Sequence, residues 1–331
     1  MNHRTLGDVG AVSEVGYGAW QIGGDWGDVS ESEAVAAVEA ARDAGIDFFD
    51  TADVYGDGRS ERILGDVLED DIASDDVTVA TKAGRRLDPH TADRYDEANL
   101  RRFVNRSREN LGVETLDLLQ LHCPPTDAYY RPETFDALDA LAGEGKIANY
   151  GVSVERVEEG LKAIAYPGVE SVQIIFNPFR QRPAELFLDE AAARDVGVIC
   201  RVPLASGLLT GALSRDTEFA ADDHRSYNRE GDAFDVGETF AGVPYEVGLD
   251  AADALAERAP ATDDGLSLPG LSLRWILDHD AVTTVIPGST TPEHIRSNAA
   301  VSDLAPLGDA DRGAVADVYD EFVREHVHQR W

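Results

Sequence analysis

Gly45-Ile46-Asp47-Phe48-Phe49-Asp50-Thr51-Ala52-Asp53-Val54-Tyr55-Gly56 is the stretch of this 331-residue chain whose reading decides the fold. A glycine closes the helical pattern of residues 31–44 and releases the chain into a short apolar run, 46–50. The run ends in polar residues and a second glycine, which is a strand delivering Asp50 and Tyr55 to the loop beyond it. The phrase recurs outward in both directions. Apolar runs at 17–20, 46–50, 77–81, 116–121, 147–151, 171–175, 198–202 and 282–286 read as strands. Helical periodicity follows at 31–44, 60–69, 97–111, 132–142, 154–165, 183–194, 249–258 with 268–277, and 292–301, and a last helix is expected over 309–325.

Eight strand–helix alternations with no linker predict one α/β domain over residues 1–331, a closed (β/α)8 TIM barrel. Residues 4–7 and 11–15, joined by Asp8-Val9-Gly10, predict a β-hairpin capping the barrel floor. Residues 211–247, after strand seven, form a long loop, polar and rich in Asp, with Phe219, His224, Tyr227, Phe234 and Phe240 interspersed. A loop of that length in a compact domain is expected to be a lid over the active face.

Charge narrows the partners. Asp and Glu total 63 against 29 Lys and Arg, a net charge of −34. No basic face is available to neutralise phosphates, so a nucleic-acid binder is excluded. The cations include only three lysines, Lys82, Lys146 and Lys162. With 43% hydrophobic residues the chain is not an acidic disordered one; it reads as a protein adapted to molar salt, where the Debye length shrinks to about 3 Å. No apolar run reaches the roughly 18 residues of a membrane span, and the opening residues lack a signal peptide's apolar stretch. Two cysteines, Cys123 and Cys200, make no disulfide framework, so a reducing, cytoplasmic setting is expected.

In a barrel, chemistry sits where strands end. Strand two delivers Asp50 and Tyr55, strand three Lys82, strand four His122. Each has a bland alternative: a capping carboxylate, a loop aromatic, a snorkelling lysine, a satisfied core histidine. Together they suit the reduction of a carbonyl. A phenol of ordinary pKa about 10 is a weak acid at neutral pH, and a neighbouring ammonium is expected to lower that value. Asp50 would keep the ammonium charged, and a neutral His122 would orient the carbonyl oxygen. The group lacks a reductant, so a hydride-donating cofactor is implied. His326-Val327-His328 has a metal-like spacing but no carboxylate or Cys cluster beside it, and reads as a solvated tail rather than a metal site. A Cys123–His122 nucleophile is disfavoured because adjacent strand residues face opposite sides.

These residues carry a resemblance. The 45–56 stretch with Ser60-Glu61 and Leu64-Gly65, then Leu118-Leu119-Gln120-Leu121-His122, Gly145-Lys146-Ile147, Gly151-Val152-Ser153 and Ile286-Pro287-Gly288-Ser289, resemble the aldo-keto reductase family along essentially the whole chain. The likeness is to the bacterial and archaeal type, related to the potassium-channel beta-subunit-like branch. It implies NADP(H) or NAD(H) lying across the C-terminal face, without a Rossmann fingerprint, and a catalytic tetrad of Asp50, Tyr55, Lys82 and His122. Carried over by position, Ser153 and Gln173 would hold the nicotinamide amide, with Asp50 beneath. Gly18, Ala19 and Trp20 would line the end of strand one. The pyrophosphate would lie near Leu204, Ser206 and Leu209, with Gly207 allowing close approach. Gly288, Ser289, Thr290, His294 and Asn298 would serve the adenosine side.

Three departures from the family stand out. Val154 replaces an Asn after Ser153, Arg201 stands where an aromatic commonly stacks on the nicotinamide, and Ser289-Thr290-Thr291 lacks a cation for a 2′-phosphate, with only Arg296 near. The guanidinium of Arg201 is expected to stack in the aromatic's place. Arg225 and Arg229 of the long loop are candidates for meeting cofactor phosphates. Trp20, Trp26, Tyr55, His122, Cys123 and Phe179 would wall the substrate pocket, together with aromatics of the loop. The implied activity is reversible, NAD(P)H-dependent reduction of aldehydes or ketones to alcohols. The alternative is a cofactor-binding regulatory subunit of the same fold with little catalytic flux. A metal-dependent barrel hydrolase would need more His and carboxylate ligands at strand ends than Asp50 and His122.

Overall fold

The glycine-punctuated alternation becomes, in the computed structural model, a ring of eight parallel strands behind a two-stranded hairpin; residues 1–24, 26–263 and 265–331 are described. The hairpin pairs β1 (His3–Leu6) with β2 (Gly10–Ser13) in antiparallel register. The parallel strands are β3 (Tyr17–Gly18), β4 (Phe48–Asp50), β5 (Thr78–Ala83), β6 (Leu116–His122), β7 (Ile147–Ser153), β8 (Val169–Ile175), β9 (Gly197–Arg201) and β10 (Thr284–Val285). Each neighbours its successor. Val15, just ahead of β3, bridges in parallel to Val285 of β10. Gly16 N donates to Val285 O at 2.8 Å and Val285 N to Glu14 O at 3.0 Å, so the first and last strands meet.

Side chains on a strand alternate between faces. That period sorts the ring's interior into two layers. Phe48, Ala80, Leu118, Ile199 and Ile286 pack with Leu6 and Val12 of the hairpin into one buried apolar cluster, so the hairpin plugs the end from which the strands start. Gly197 makes the plug possible, because a Cβ there would lie 2.3 Å from the Leu6 side chain. Two residues further along the same strands come Asp50, Lys82, Gln120 and Arg201, and Ser153 and Gln173 are register partners on β7 and β8. The apolar layer is the floor on which the polar layer stands.

Helices cover the outside. Glu31–Asp43 starts in a capping box, with Ser30 Oγ accepting from Glu33 N and Glu33 Oε2 from Ser30 N, an arrangement worth about 1 kcal/mol. It buries Ala34, Ala37, Val38 and Ala41 against the ring. Glu97–Leu111 starts on Asp96 and stops at Gly112, whose φ of 72° only glycine takes freely. No helix among the described residues is long and apolar enough to cross a membrane.

Several boundaries move for identifiable reasons. β3 ends at Gly18, and Trp20 opens a helical turn, Trp20–Gly23, because the backbone leaves the extended conformation at Ala19 (φ −92°, ψ 19°), whose N–H makes the last bond to β4, to Asp50 O at 2.8 Å. β10 stops before Pro287, which has no N–H for a ladder. The helix expected over 154–165 begins only at Val157, since Glu159 reaches back to accept from Glu155 N and Arg156 N. The expected 183–194 helix divides into a 3-10 turn, Arg182–Glu185, and Phe187–Ala192. In the 309–325 stretch Asp309–Val318 gives way to a π turn, Tyr319–Val323. Within 211–247 the chain forms a short helix, His224–Tyr227, and 3-10 turns at Val236–Glu238 and Phe240–Gly242; the next helix already begins at Tyr245.

Candidate active site

The polar layer is organised around one ammonium. Lys82 Nζ, fully buried, donates to Asp50 Oδ1 at 2.5 Å, Thr51 O at 2.9 Å and Tyr55 Oη at 3.4 Å. The second carboxylate oxygen of Asp50 accepts from Gln120 Nε2 at 3.0 Å and Gln173 Nε2 at 2.7 Å. An ion pair so enclosed owes its stability to these hydrogen bonds rather than to Coulomb attraction alone. Gln120, overlooked in the sequence, was signalled by register: it lies opposite Lys82 on β6. Gln173 also donates to Gln120 Oε1, so its amide nitrogen is spent and its oxygen remains for a ligand. His122 meets the Tyr55 ring edge-on at 5.9 Å.

Burial and neighbouring charge set the protonation states. Burial opposes the charge on Lys82, but Asp50 and Tyr55 outweigh it and hold the ammonium above its usual range. His122 is held neutral, first by burial and then by Arg85 and Lys82. Tyr55 corrects the expectation of a lowered phenol pKa. Burial raises it above the ordinary value and outweighs Lys82, whose charge Asp50 already offsets.

A cavity of about 570 Å³ opens above this layer. Asp50, Tyr55, His122, Ser153, Gln173 and Arg201 line it near the tetrad, and it continues past Leu204, Ser206 and Gly207 to Gly288, Ser289, Thr290, His294 and Asn298. Gly18, Trp20 and Trp26 also face it. The construction fits an extended ligand. A Cβ on Gly18 would lie 2.7 Å from Ile286 O and one on Gly288 2.9 Å from Gly18 O, so the two glycines let the backbones close up. Ala205, Ser206 and Gly207 run left-handed in succession (φ 48°, 52° and 103°), a turn that bends the chain around the cleft. The hydroxyl of Ser206 is already engaged, donating to Glu238 O and accepting from Phe240 N.

Four residues expected at the cleft, Ala19 and Leu209 on the cofactor side and Phe179 and Cys123 as substrate walls, do not line it. Ala19 and Leu209 are fully buried in the core behind the cleft, because Ala19 turns its backbone to β4 and Leu209 packs inward. Phe179 is likewise fully buried in that core. Cys123, just past the end of β6 with φ 45°, points Sγ at Ser153 Oγ (3.5 Å) and Arg201 (3.6 Å), and burial pushes its thiol pKa up.

Arg201 lines the cavity with its plane already fixed. Its guanidinium donates to Val154 O and Glu155 Oε2, both at 3.0 Å, and approaches Glu238 Oε1 at 3.9 Å. Arg85 grips Glu238 as well and reaches Glu155 at 3.2 Å. This square of two arginines and two glutamates, with Arg201 and Glu238 buried and Arg85 and Glu155 half-buried, went unseen in the sequence because Glu238 arrives from the 211–247 segment. Burial, then Glu238, pushes Glu155 up to about 8; Glu238 itself, despite burial, is held well below the carboxylate range by Arg85 and Arg201.

The same segment packs on the indoles beside Tyr55. Trp20 lies nearly parallel to Tyr55 (5.9 Å, 19°) and edge-on to Trp26 at 5.5 Å. His224 rests on both indoles, at 4.7 and 4.3 Å, and Phe234 on Trp20. Arg225 faces the cleft, with its guanidinium over Trp26 and paired to Asp223 at 2.6 Å. Arg229 instead covers Phe219, Phe240 and Tyr245 and does not line the cleft. The residues expected as a solvated tail are packed. His328 binds Tyr319 and Glu185, each at 2.9 Å. Trp331 is buried under Arg180 and donates from Nε1 to Asp235 at 2.8 Å.

Asp53 is a further surprise. It is fully buried, and neither carboxylate oxygen has a hydrogen-bond partner among the described residues. Burial, then Glu61, pushes it up to about 7.

Against known proteins, the model of the aldo/keto reductase family matches residues 14–320. The aldo-keto reductase YhdN of Bacillus subtilis is 29% identical over 332 residues, covering 99% of this chain and 96% of that protein. Among solved structures, the aldo-keto reductase AKR11C1 from Bacillus halodurans, in its holo form, superposes with a TM-score of 0.77 at 25% identity, covering 99% of both chains. The glycerol dehydrogenase AKR11B4 from Gluconobacter oxydans gives 0.75 at 29% identity, covering 98% of this chain and 96% of that one.

Proposed function

The chain belongs to the aldo/keto reductase family, and from that premise we propose that it reduces small aldehydes or ketones to alcohols, reversibly and at the expense of NAD(P)H, with Tyr55 as the acid. The observation that carries the reading is the ammonium of Lys82, held at once by Asp50, Thr51 and Tyr55 beneath an open cleft. Gln173 and Ser153 would hold the nicotinamide end, the turn at Leu204, Ser206 and Gly207 the pyrophosphate, and the 288–298 loop and helix start the adenosine. A bound reduced nicotinamide supplies a hydride to the carbonyl carbon.

The protein's own residues manage the oxygen. The carbonyl oxygen sits between Tyr55 Oη and the neutral His122 imidazole, which orients it without competing as an acid. A phenol whose pKa burial keeps high holds its proton until negative charge develops on that oxygen, and then gives it up. The phenolate left behind is stabilised by Lys82, and Asp50 with its two glutamine donors keeps that ammonium in place. Trp20 and Trp26 exclude water from the reacting carbonyl.

Residues 211–247 act as a lid, fastened at Glu238 by Arg85 and Arg201, and substrate entry requires it to lift. The surplus of 63 acidic over 29 basic residues makes the protein one that works in molar salt. The test is dinucleotide oxidation against a panel of small aldehydes and ketones in molar KCl. Tyr55→Phe should lose about 10²–10⁴-fold in kcat while still binding dinucleotide, and a variant at the wild-type rate would refute the reading.

A further inference from the structure

The cleft must hold a dinucleotide with its reacting ring against Tyr55 and His122, so the adenosine half falls at the opposite end. That end is lined by Ser289, Thr290, Thr291, His294, Ser297 and Asn298: hydroxyls, one amide and one imidazole. Among the described residues two guanidiniums line the cleft as a whole, those of Arg201 and Arg225. Neither is available to a phosphate monoester at the far end. Arg201 is fixed beside the tetrad by Glu155 and Val154 O, with Glu238 close by. Arg225 is paired with Asp223, and its NH1 lies 3.5 Å from Ser206 O, beside the left-handed turn. Arg296 is exposed, lies 3.9 Å from Glu293 and does not face the cleft. The lysines offer nothing there either, since Lys82 lies beneath Tyr55 and neither Lys146 nor Lys162 lines the cleft.

We propose that this cleft selects NADH and rejects NADPH, and that Thr290 is the position at which the choice is made; the proposal rests on the reading of the cleft as a dinucleotide site. The two cofactors differ only in a 2′-phosphate, which carries close to two negative charges at neutral pH. Protein sites that welcome such a group answer it with Arg or Lys in charge-assisted hydrogen bonds. Here it would meet hydroxyls, inside a chain already at −34. The free 2′-hydroxyl of NADH is a neutral donor and acceptor that the same hydroxyls and the Asn298 amide can satisfy. Losing even one charged hydrogen bond's worth of partnership corresponds to about tenfold or more in affinity.

Binding can be read without turnover, from quenching of the Trp20 and Trp26 fluorescence on titration with each dinucleotide. The wild-type protein should bind NADH about tenfold or more tightly than NADPH. The preference should persist in molar KCl, where a Debye length near 3 Å removes the repulsion of distant charges but not the local want of a cation. Thr290→Arg should move the NADPH-to-NADH affinity ratio toward NADPH by about tenfold. Equal or tighter NADPH binding by the wild type would overturn the proposal, as would a preference that collapses to parity in molar salt. A Thr290→Arg variant with an unchanged ratio would overturn the assignment to that position. If neither dinucleotide quenched, the dinucleotide reading itself would fall, which is a different result from binding both alike.

Discussion

Replacing Lys82 by Met isolates the interaction on which the proposed chemistry turns. The ammonium stands 3.4 Å from Tyr55 Oη. At an effective dielectric of about 20, a unit charge at that distance stabilises a phenolate by roughly 5 kcal/mol, or three to four decades of rate if all of it is felt in the transition state. Asp50, bonded to the same ammonium, offsets part of this, so the expected loss in kcat is on the order of a thousandfold. The variant also leaves a buried carboxylate without its partner, at a cost of about 3–5 kcal/mol in stability. The assay therefore pairs steady-state kinetics in molar KCl with thermal melts and with dinucleotide titration. The double variant Asp50→Asn/Lys82→Met should recover most of the lost stability and none of the lost rate. A folded Lys82→Met enzyme that kept more than about a tenth of wild-type kcat would refute the argument, since a tenth is only one decade, or about 1.4 kcal/mol.

Asp53 has its folded pKa raised to about 7 by burial, then Glu61, so its contribution to stability is fully present below about pH 4 and is lost as pH rises through about 7. Asp53→Asn should gain on the wild type by about 3 kcal/mol between roughly pH 5 and pH 9 in denaturant melts, and a pH-independent difference would contradict this. Trp331→Ala removes the ring that Arg180 covers and that Gly237 and Gly242 approach closely enough to exclude a side chain. Hydrogen exchange across residues 235–243 should accelerate and the substrate KM should rise with kcat little changed; unaltered exchange there would show that Trp331 does not hold the lid.

What the sequence made legible followed from local rules. Glycines at Gly45, Gly112 and Gly197 mark the change from helical to strand periodicity, and counting those changes suffices for the barrel. Leu6 and Val12 belong to a predicted hairpin, and a plug is what a barrel floor requires. Asp50, Lys82 and His122 stand at strand ends, where period-two alternation and register bring them together. The misses came from contacts made at long range. The position of Arg201 was readable, but the orientation of its guanidinium depends on Glu155 and Glu238 from two other parts of the chain. Strand alternation no longer governs Cys123, which follows β6 with positive φ. Neighbouring strand ends suggested the sign of Lys82's effect on Tyr55, whereas the larger effect is burial, to which the Trp20 ring stacked on the phenol contributes. His328 read as part of a solvated tail because its partner Glu185 lies far off in sequence.

The most direct measurement of the central claim uses a reduced dinucleotide carrying deuterium at both C4 positions of the nicotinamide, incubated with a small aldehyde in molar KCl and followed by mass spectrometry of the alcohol. The account predicts one deuterium on the former carbonyl carbon with the wild-type protein and, over the same time, almost none with Tyr55→Phe. Alcohol formed without deuterium, or labelled as quickly by Tyr55→Phe as by the wild type, would contradict it.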